Sequence, residues 1–557
     1  MVSLVFVLPF LINWDYIGVG DWELFATMAA VPQRTVLHYH QFPFWNPYLG
    51  GGNILFAHPE VGILSPFFPL ILIFGAIGGL KIQMMLAYFL GFWGTWLLAK
   101  RLGRSPLASY LAAFVYFGSS YFALHFAIGH VPFTHFCFLP WFLYFLLKTD
   151  DDSRFLAGAI AAVALIILGN GAAVPFLYTC FFSGVLLILY AIEEKSLRLI
   201  KRFIVAVILG VLLGAVKFFP MFHYLSQNEW EGMPGDFTPI NILWKAFFSF
   251  DQAVFRQAGS GQYWGWHEYS AYISPLAVIL AVAALILAFR KSRAWLVVGL
   301  FFFLFGLGHF SDFSPWNLIL HIPGFSSIRS PARTFQFVVL ATAILSGIGL
   351  DVLTARLKSA TSVKNALSLS IICLILLTGF LVNLPAMKTI KYKKPAHVAF
   401  DEDFRQVIGR RDDIYNLFLK NRGSLVAPWL SAYKESRGLV TPTNEVLMEY
   451  VSSGQAGVLT RQYTPNRVDY RLAPALAGTI IFGIGYDDGW RTADGRPLFE
   501  NNGLVATGFT HNDRQITLLY RPRGFIFGLV VSLLVLAGLS VFIFHGKIRK
   551  RLEAIFN

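Results

Sequence analysis

Apolar residues come in repeated runs of roughly 17–20, each bounded by charge, which is the pattern of helices that cross a bilayer. Twelve such runs can be marked: Met1–Ile12, Ile82–Ala99, Leu107–Phe122, Phe133–Leu147, Phe155–Leu168, Pro175–Ile192, Phe203–Phe219, Tyr272–Phe289, Ala294–Leu307, Thr334–Leu350, Ala366–Leu384 and Phe525–Phe544. The first is short for a crossing and would have to tilt, or to be preceded by further residues. The basic clusters at Lys100–Arg104, Lys148–Arg154, Lys195–Arg202, Arg290–Arg293, Arg356–Lys364 and Lys547–Arg551 are each two spans apart. All of them can therefore lie on one side. Positive-inside makes that side cytoplasmic, with both termini inside. Were Ser65–Gly79 also to cross, the Lys100–Arg104 cluster would move outside, so this segment is expected as an external helix lying at the interface.

The opposite side then holds Trp14–Lys81, the turns His125–Val131 and Gly169–Val174, Pro220–Ala271, Gly308–Arg333 and Pro385–Gly524. In the last of these the period changes. Asp401–Lys420 has helical charge patterning. Arg461–Leu472, Gly478–Tyr486 and Arg514–Tyr520 alternate apolar with polar between turn signals such as Asp488-Gly489 and Asp494-Gly495, which predicts a small antiparallel β-sandwich. The expected organisation is a transmembrane domain over 1–385, whose first external loop spans 14–81. An external α+β domain over 386–524 follows, β-sandwich-like in its second half, and then a last helix with a basic cytoplasmic tail over 525–557.

Composition agrees with a polytopic α-helical membrane protein: of 557 residues 56% are hydrophobic and 14% charged. A net charge of +14 would suggest nucleic acid in a soluble chain. Here the basic residues fall mostly in short loops and report topology, so nucleic acid is not an expected partner. Cys137, Cys180 and Cys373 all lie in apolar runs, which argues against a disulfide framework. The N-terminal run lacks a basic n-region and a small-residue cleavage site, so no cleavable signal is expected.

Chemistry concentrates in the first external loop, GDWELFATMAAVPQRTVLHYHQFPFWNPYLGGGNILFAHPEVGILSPFFP. Asp21 and Glu23, at i and i+2, cannot share a helix face. One of them can point into a site; alternatively Asp21 simply caps the helix beginning at Trp22. His38, His40, His58 and Glu60 are possible metal ligands, but their spacing is not a zinc pattern. Tyr39, Phe42, Phe44, Trp45 and Tyr48 among them suggest an aromatic belt at the membrane surface. Gly50-Gly51-Gly52 marks a tight turn without the strand and Gly-Lys-Ser/Thr of a phosphate loop.

Arg329 and Arg333, four apart around Pro331, sit at the external start of a span, against the charge bias of the other short loops. They could present a guanidinium fork to a phosphate at headgroup level, aided by a helix N-terminus, or merely snorkel to lipid. Lys217, just before Pro220, is a similar intramembrane cation. Asp251, His267 and Glu268 are possible wall residues, or a solvated loop face.

With GDWE at Asp21, FPFWNPYLGGGNILFAHPEVGILSPFFP over 42–69, HIPGFSSIRSPAR over 321–333 and GYDDGWRTADGRPLFENNGLVATGF over 485–509, the chain resembles the C-type superfamily of membrane glycosyltransferases (GT-C), and more closely the bacterial YfhO-type membrane proteins. The resemblance implies inverting transfer of a monosaccharide from a polyprenyl-phosphate donor to a glycan, lipid or protein acceptor at the outer face of the cytoplasmic membrane. Such a displacement needs a base for the acceptor hydroxyl but no acid, because phosphate departs as an anion. On this reading Asp21 is the general base, and Arg329, Arg333 and Lys217 stabilise the leaving phosphate. Glu23, Glu60, His58, His267 and Glu268 orient sugar or acceptor. No cofactor is expected and a divalent metal is not favoured. The external domain would bind acceptor or act as a lid. A transporter or flippase of lipid-linked sugars, or a non-catalytic envelope scaffold, would share the cavity and cations but need no base; no internal repeat of the transporter kind is evident.

Overall fold

The computed structural model describes residues 2–545 apart from 19, 228–235, 253–263, 323–324, 326–328, 389–390, 427–437, 453–457 and 474–476. The basic tail after residue 545, and parts of the predicted loops 220–271 and 308–333, lie outside the described residues. Each of the twelve apolar runs is helical. Among the described residues, seven helices are long and apolar enough to cross a membrane on their own, or eight if the bent pair Arg198–Leu213 and Ala215–Gln227 counts as one. The expected number of twelve would need four more. Of these, α1 (Val2–Ile12), Phe155–Leu168 and Pro275–Leu287 are short, and Phe289–Gly306 begins with three cations.

Breaks in the helices have local causes. α2 (Trp22–Leu37) is followed by a loop and then by α3 (Phe68–Arg101), which is kinked at Gly75 with φ 76° and ψ 165°. The predicted interfacial helix is thus a single short stretch, Phe68–Phe74, ahead of the long one. α4 (Pro106–Phe117) starts on Ser105, whose hydroxyl accepts from the Ala108 N–H at 3.2 Å with proline in the first turn. α5 (Ser120–Ile128) continues it after a break at which Asn383 donates to the Gly118 carbonyl, 2.8 Å. The bent pair turns by 85° around Gly214, where the Ser532 hydroxyl accepts the buried Val216 N–H at 3.0 Å. The α4–α5 unit is the centre of the bundle, 94% buried in its apolar window, while Phe525–Phe544 is peripheral at 17%.

Beyond the membrane helices, eight strands form two four-stranded antiparallel sheets. One runs in the order Val458–Thr464, Arg467–Leu472, Gln515–Tyr520, Trp490–Thr492; the other Phe499–Asn501, Leu504–Phe509, Gly478–Gly485, Glu449–Val451. Alternate residues such as Val468, Tyr470, Ile480, Phe482, Ile516 and Leu518 meet in a common core.

Trp45 and Ile54 of the first loop belong to that same core. The strands Trp45–Asn46 and Asn53–Ile54 pair as a hairpin, and the Trp45 ring lies 5.2 Å from Trp490 and 4.6 Å from Tyr520. Asn466 clamps the hairpin: its side-chain oxygen accepts from the N–H groups of Phe44 (3.2 Å) and Trp45 (3.1 Å), and its amide donates to the Phe42 carbonyl. For Trp45 the aromatic-belt reading is therefore corrected. This side chain buries its surface in the core of the two sheets, because a large ring with a folded apolar neighbour gains more there than at a membrane surface. A second tie pairs Ile17–Gly18 with Tyr392–Lys393. The first loop is thus the strap between the two halves of the molecule.

Candidate active site

Two glycines bring the start of α2 against the end of α5. Gly20 (φ +82°) and Gly129 (φ +94°) occupy left-handed backbone, and a Cβ at Gly129 would lie 2.6 Å from the Trp22 nitrogen. That approach lets the Asp21 N–H reach the Ile128 carbonyl at 3.0 Å and the Trp22 indole reach the Ala127 carbonyl at 2.9 Å. Asp21 occupies the N-cap position but with helical dihedrals and no side-chain capping bond. Its carboxylate turns instead to His130, Oδ2 to Nε2 at 2.7 Å. The capping alternative is thereby decided against. Burial alone would raise the Asp21 pKa; the hydrogen bond from His130 opposes it, and the carboxyl is held below its ordinary range.

From the other side comes the short helix Trp266–Tyr269, held to the top of α5 because the Ser120 hydroxyl accepts the Tyr272 N–H at 2.7 Å. His267 places its ring 5.0 Å from that of His130, and burial lowers its pKa to about 4. Glu268, 2% exposed, takes a two-pronged bond from Arg333: Nε to Oε2 at 2.7 Å, and Nη2 to Oε1. Burial would raise the Glu268 pKa, but the Arg333 guanidinium wins and keeps it well below the carboxylate range. The Arg333 guanidinium also lies over the Phe133 ring at 5.3 Å. With two of its five N–H groups on Glu268, three remain for a ligand.

Glu60 completes the cluster, and its backbone is gripped from several directions. His58 Nδ1 accepts the Glu60 N–H (3.1 Å) and Asn170 donates to the Glu60 carbonyl (2.9 Å). Burial pushes the Glu60 pKa up to about 7; the guanidinium groups of Arg333 and Arg329 pull it down, and Asp21 adds to the rise. Asp21, Arg329 and Arg333 are thus within electrostatic reach of Glu60. Asp236, fully buried, accepts from the Tyr269 hydroxyl at 3.1 Å on the far side of Glu268, and burial raises its pKa to about 7.

Three expected site residues are reassigned. Lys217 is 1% exposed and its ammonium donates to the carbonyls of Val61 (2.7 Å), Pro59 (3.4 Å) and Gly169. An ammonium has three donors, and all are committed, so Lys217 braces the Glu60 turn instead of meeting a phosphate. Lys81 does the same for the end of α1, with bonds to the carbonyls of Trp14 (2.8 Å) and Tyr16 (2.7 Å) and a third to Asn13. Glu23 forms an ion pair with Lys393 and accepts the Tyr415 N–H at 3.0 Å. Burial raises its pKa, and its work is to tie α2 to the segments that carry Lys393 and Tyr415. His58, 0% exposed, has burial lowering its pKa to about 3 and serves the Glu60 turn as an acceptor, not a ligand of sugar.

Sequence reasoning assigned no role to His130. The available signal was a histidine pair, His125 and His130, in an otherwise apolar turn. Among the described residues, His130, His267 and Glu268 are the group whose ligand atoms could hold a metal, all within 4.8 Å. In this arrangement His130 Nε2 is on Asp21 and both Glu268 oxygens are on Arg333, so a cation would have to displace Arg333 from Glu268.

Residues 80–219 match the family described as "Alpha-(1->3)-arabinofuranosyltransferase, N-terminal GT-C domain". The GT-C match contains His125, His130 and Lys217, while Asp21, Glu60, Glu268 and the two arginines lie outside it. No curated protein matches the chain. Among solved structures, ArnT from Cupriavidus metallidurans bound to undecaprenyl phosphate aligns over 76% of this chain and 84% of its own, at 14% identity and TM-score 0.41. Its apo state aligns over 77% and 86%, at 14% identity and TM-score 0.43. The arabinofuranosyltransferase AftD from Mycobacteria aligns over 73% of this chain at 16% identity and TM-score 0.41; the chain spans 30% of AftD.

Proposed function

We propose that this multi-pass GT-C protein transfers a sugar from a polyprenyl-phosphate donor to an acceptor of the cell envelope at the outer face of the membrane, with inversion. The observation that carries this reading is a continuous set of contacts from Asp21 through His130 and His267 to Glu268 and Arg333, although Asp21 and Arg333 are about 310 positions apart in the chain. Asp21 removes the acceptor hydroxyl proton as that oxygen attacks the anomeric carbon. The carbon–phosphate oxygen bond breaks, and its electron pair leaves with the phosphate, met by the remaining N–H groups of Arg333 and by Arg329. Glu268 holds Arg333 in place, and Glu60 and His267 face the sugar. No step is routed through a metal. A small apolar crevice lined by Phe25, Met28, Pro32, Ile63, Ile71 and Val131 adjoins the Glu60 turn. Both termini on the cytoplasmic side, and the β-rich domain outside as acceptor-binding module or lid, complete the proposal. The closer resemblance to YfhO-type proteins belongs to it as well.

Purified protein in nanodiscs, given polyprenyl-phosphoryl pentoses and hexoses with envelope extract as acceptor, tests it by release of the free polyprenyl phosphate. Asp21→Asn should lower turnover at least about 100-fold while leaving expression and donor binding intact. Unchanged turnover would remove Asp21 as the base.

A further inference from the structure

His130 does not stand alone behind Asp21. Its other ring nitrogen, Nδ1, lies 2.8 Å from Nδ1 of His125, the two rings being nearly parallel with centroids 5.0 Å apart. A contact between two like nitrogens at that distance requires one proton between them, and the rest of the geometry says which ring carries it. His125 is 0% exposed, lies 4.0 Å from the Phe133 ring and 4.5 Å from the Tyr121 ring, and its Nε2 has no partner among the described residues.

If His130 supplied the proton while also donating to Asp21, it would be an imidazolium, and His125 would bury an orphan N–H. If His125 supplies it, both rings are neutral and the orphan at His125 Nε2 is a lone pair. Orphan donors are the rarer and costlier of the two. The charged groups around the pair, Arg333 and Glu268 with His267, already balance as an ion pair beside a low-pKa histidine. A second positive charge there would be unopposed except by Asp21.

We propose that His125 is a positioning residue. Its Nδ1–H fixes His130 as the Nε2–H tautomer, which in turn binds Oδ2 of Asp21 and leaves Oδ1 as the oxygen that accepts a proton. Among the described residues no side chain bonds Oδ1. Nothing is transferred along the chain: the proton between the rings stays on His125, and the one on His130 Nε2 stays in its bond to Asp21. The logic is that of any carboxylate–histidine pair, in which the second nitrogen's partner chooses the tautomer. The claim that orientation serves catalysis rests on the proposed transferase reading; the tautomer itself does not.

Solid-state ¹⁵N NMR of the full chain in nanodiscs, with ¹⁵N-histidine, reads the tautomer directly. Resonances are assigned with His125→Phe and His130→Asn. In the wild type the expected result is Nδ1–H on His125 and Nε2–H on His130. In His125→Phe the His130 preference is lost, and in His125→Gln, whose amide can donate to the same nitrogen, it returns. Turnover in the polyprenyl-phosphoryl sugar assay should fall about 10- to 100-fold in His125→Phe with KM little changed, and recover in His125→Gln. Nδ1–H on His130 in the wild type, or a His130 tautomer unmoved by His125→Phe, overturns the proposal whatever the protein transfers. The expected tautomers with turnover unaffected by His125→Phe overturn its positioning role. Full turnover in Asp21→Asn with the tautomers intact overturns the transferase mechanism instead.

Discussion

Glu268→Gln isolates the ion pair on which the geometry of Arg333 depends. The two side chains are 2% and 14% exposed, and both carboxylate oxygens are engaged. Removing the acid leaves a guanidinium in a nearly dry cluster beside His130 and His267. Breaking a buried pair at one end costs about 3–5 kcal/mol, because the surviving charge is stranded. Replacing both partners at once, as Glu268→Gln with Arg333→Met, removes the stranded charge, and the double variant should lose no more than about 2 kcal/mol. The coupling in the double-mutant cycle should therefore be about 4 kcal/mol or more, in the sense that each single change is worse than the pair. Thermal unfolding of the four proteins in one detergent provides the order of stabilities. The pH dependence has a definite sign. Arg333 depresses the Glu268 pKa below its ordinary 4.5, so the contribution is fully present above that pH and is lost only as the medium becomes more acid. If Glu268→Gln melts with the wild type, or if the double variant loses the sum of the two singles, the groups are not coupled as the geometry requires.

Lys217→Met leaves three carbonyls around the Glu60 turn without their donor; it should cost about 2–4 kcal/mol in thermal unfolding while undecaprenyl phosphate binding per folded molecule stays near wild type. Loss of lipid binding with unchanged stability would reinstate the phosphate role. Burial lifts the Glu60 pKa to about 7, so the folded state holds that proton more tightly and stability falls as pH rises from about 4.5 to about 7. Glu60→Gln should flatten this decline and make the protein up to about 3 kcal/mol more stable at pH 8, as read from melting curves across pH. Trp45→Ala, which empties a 1%-exposed site between the sheets and the first loop, should cost about 3–5 kcal/mol and expose the 386–524 region to limited proteolysis before the helices melt. Equal protease resistance would mean that the strap is not what anchors the domain.

The helices themselves could be read from the chain, since a long apolar run bounded by charge has few other ways to satisfy its backbone in lipid. The strand runs 461–472, 478–486 and 514–520 were equally legible from alternation, and each now forms part of a sheet. Asp21, Arg329 and Arg333 stood out because charge at a membrane surface demands a reason. What local pattern does not carry is which partner a charge will find. Lys217 and Arg333 look alike as cations near helix ends, yet one spends its donors on backbone carbonyls and the other keeps three N–H groups after pairing with Glu268. Glu23 and Asp21 are two residues apart, yet the pitch of α2 sends one to Lys393 and the other to His130. His125 and His130 read as ordinary turn residues until the close approach at Gly20 and Gly129 sets them behind Asp21. Hydrophobic patterning is a property of neighbours along the chain and survives without tertiary context. Hydrogen-bond satisfaction inside a buried cluster is a property of distant segments brought together, and only the folded arrangement determines it.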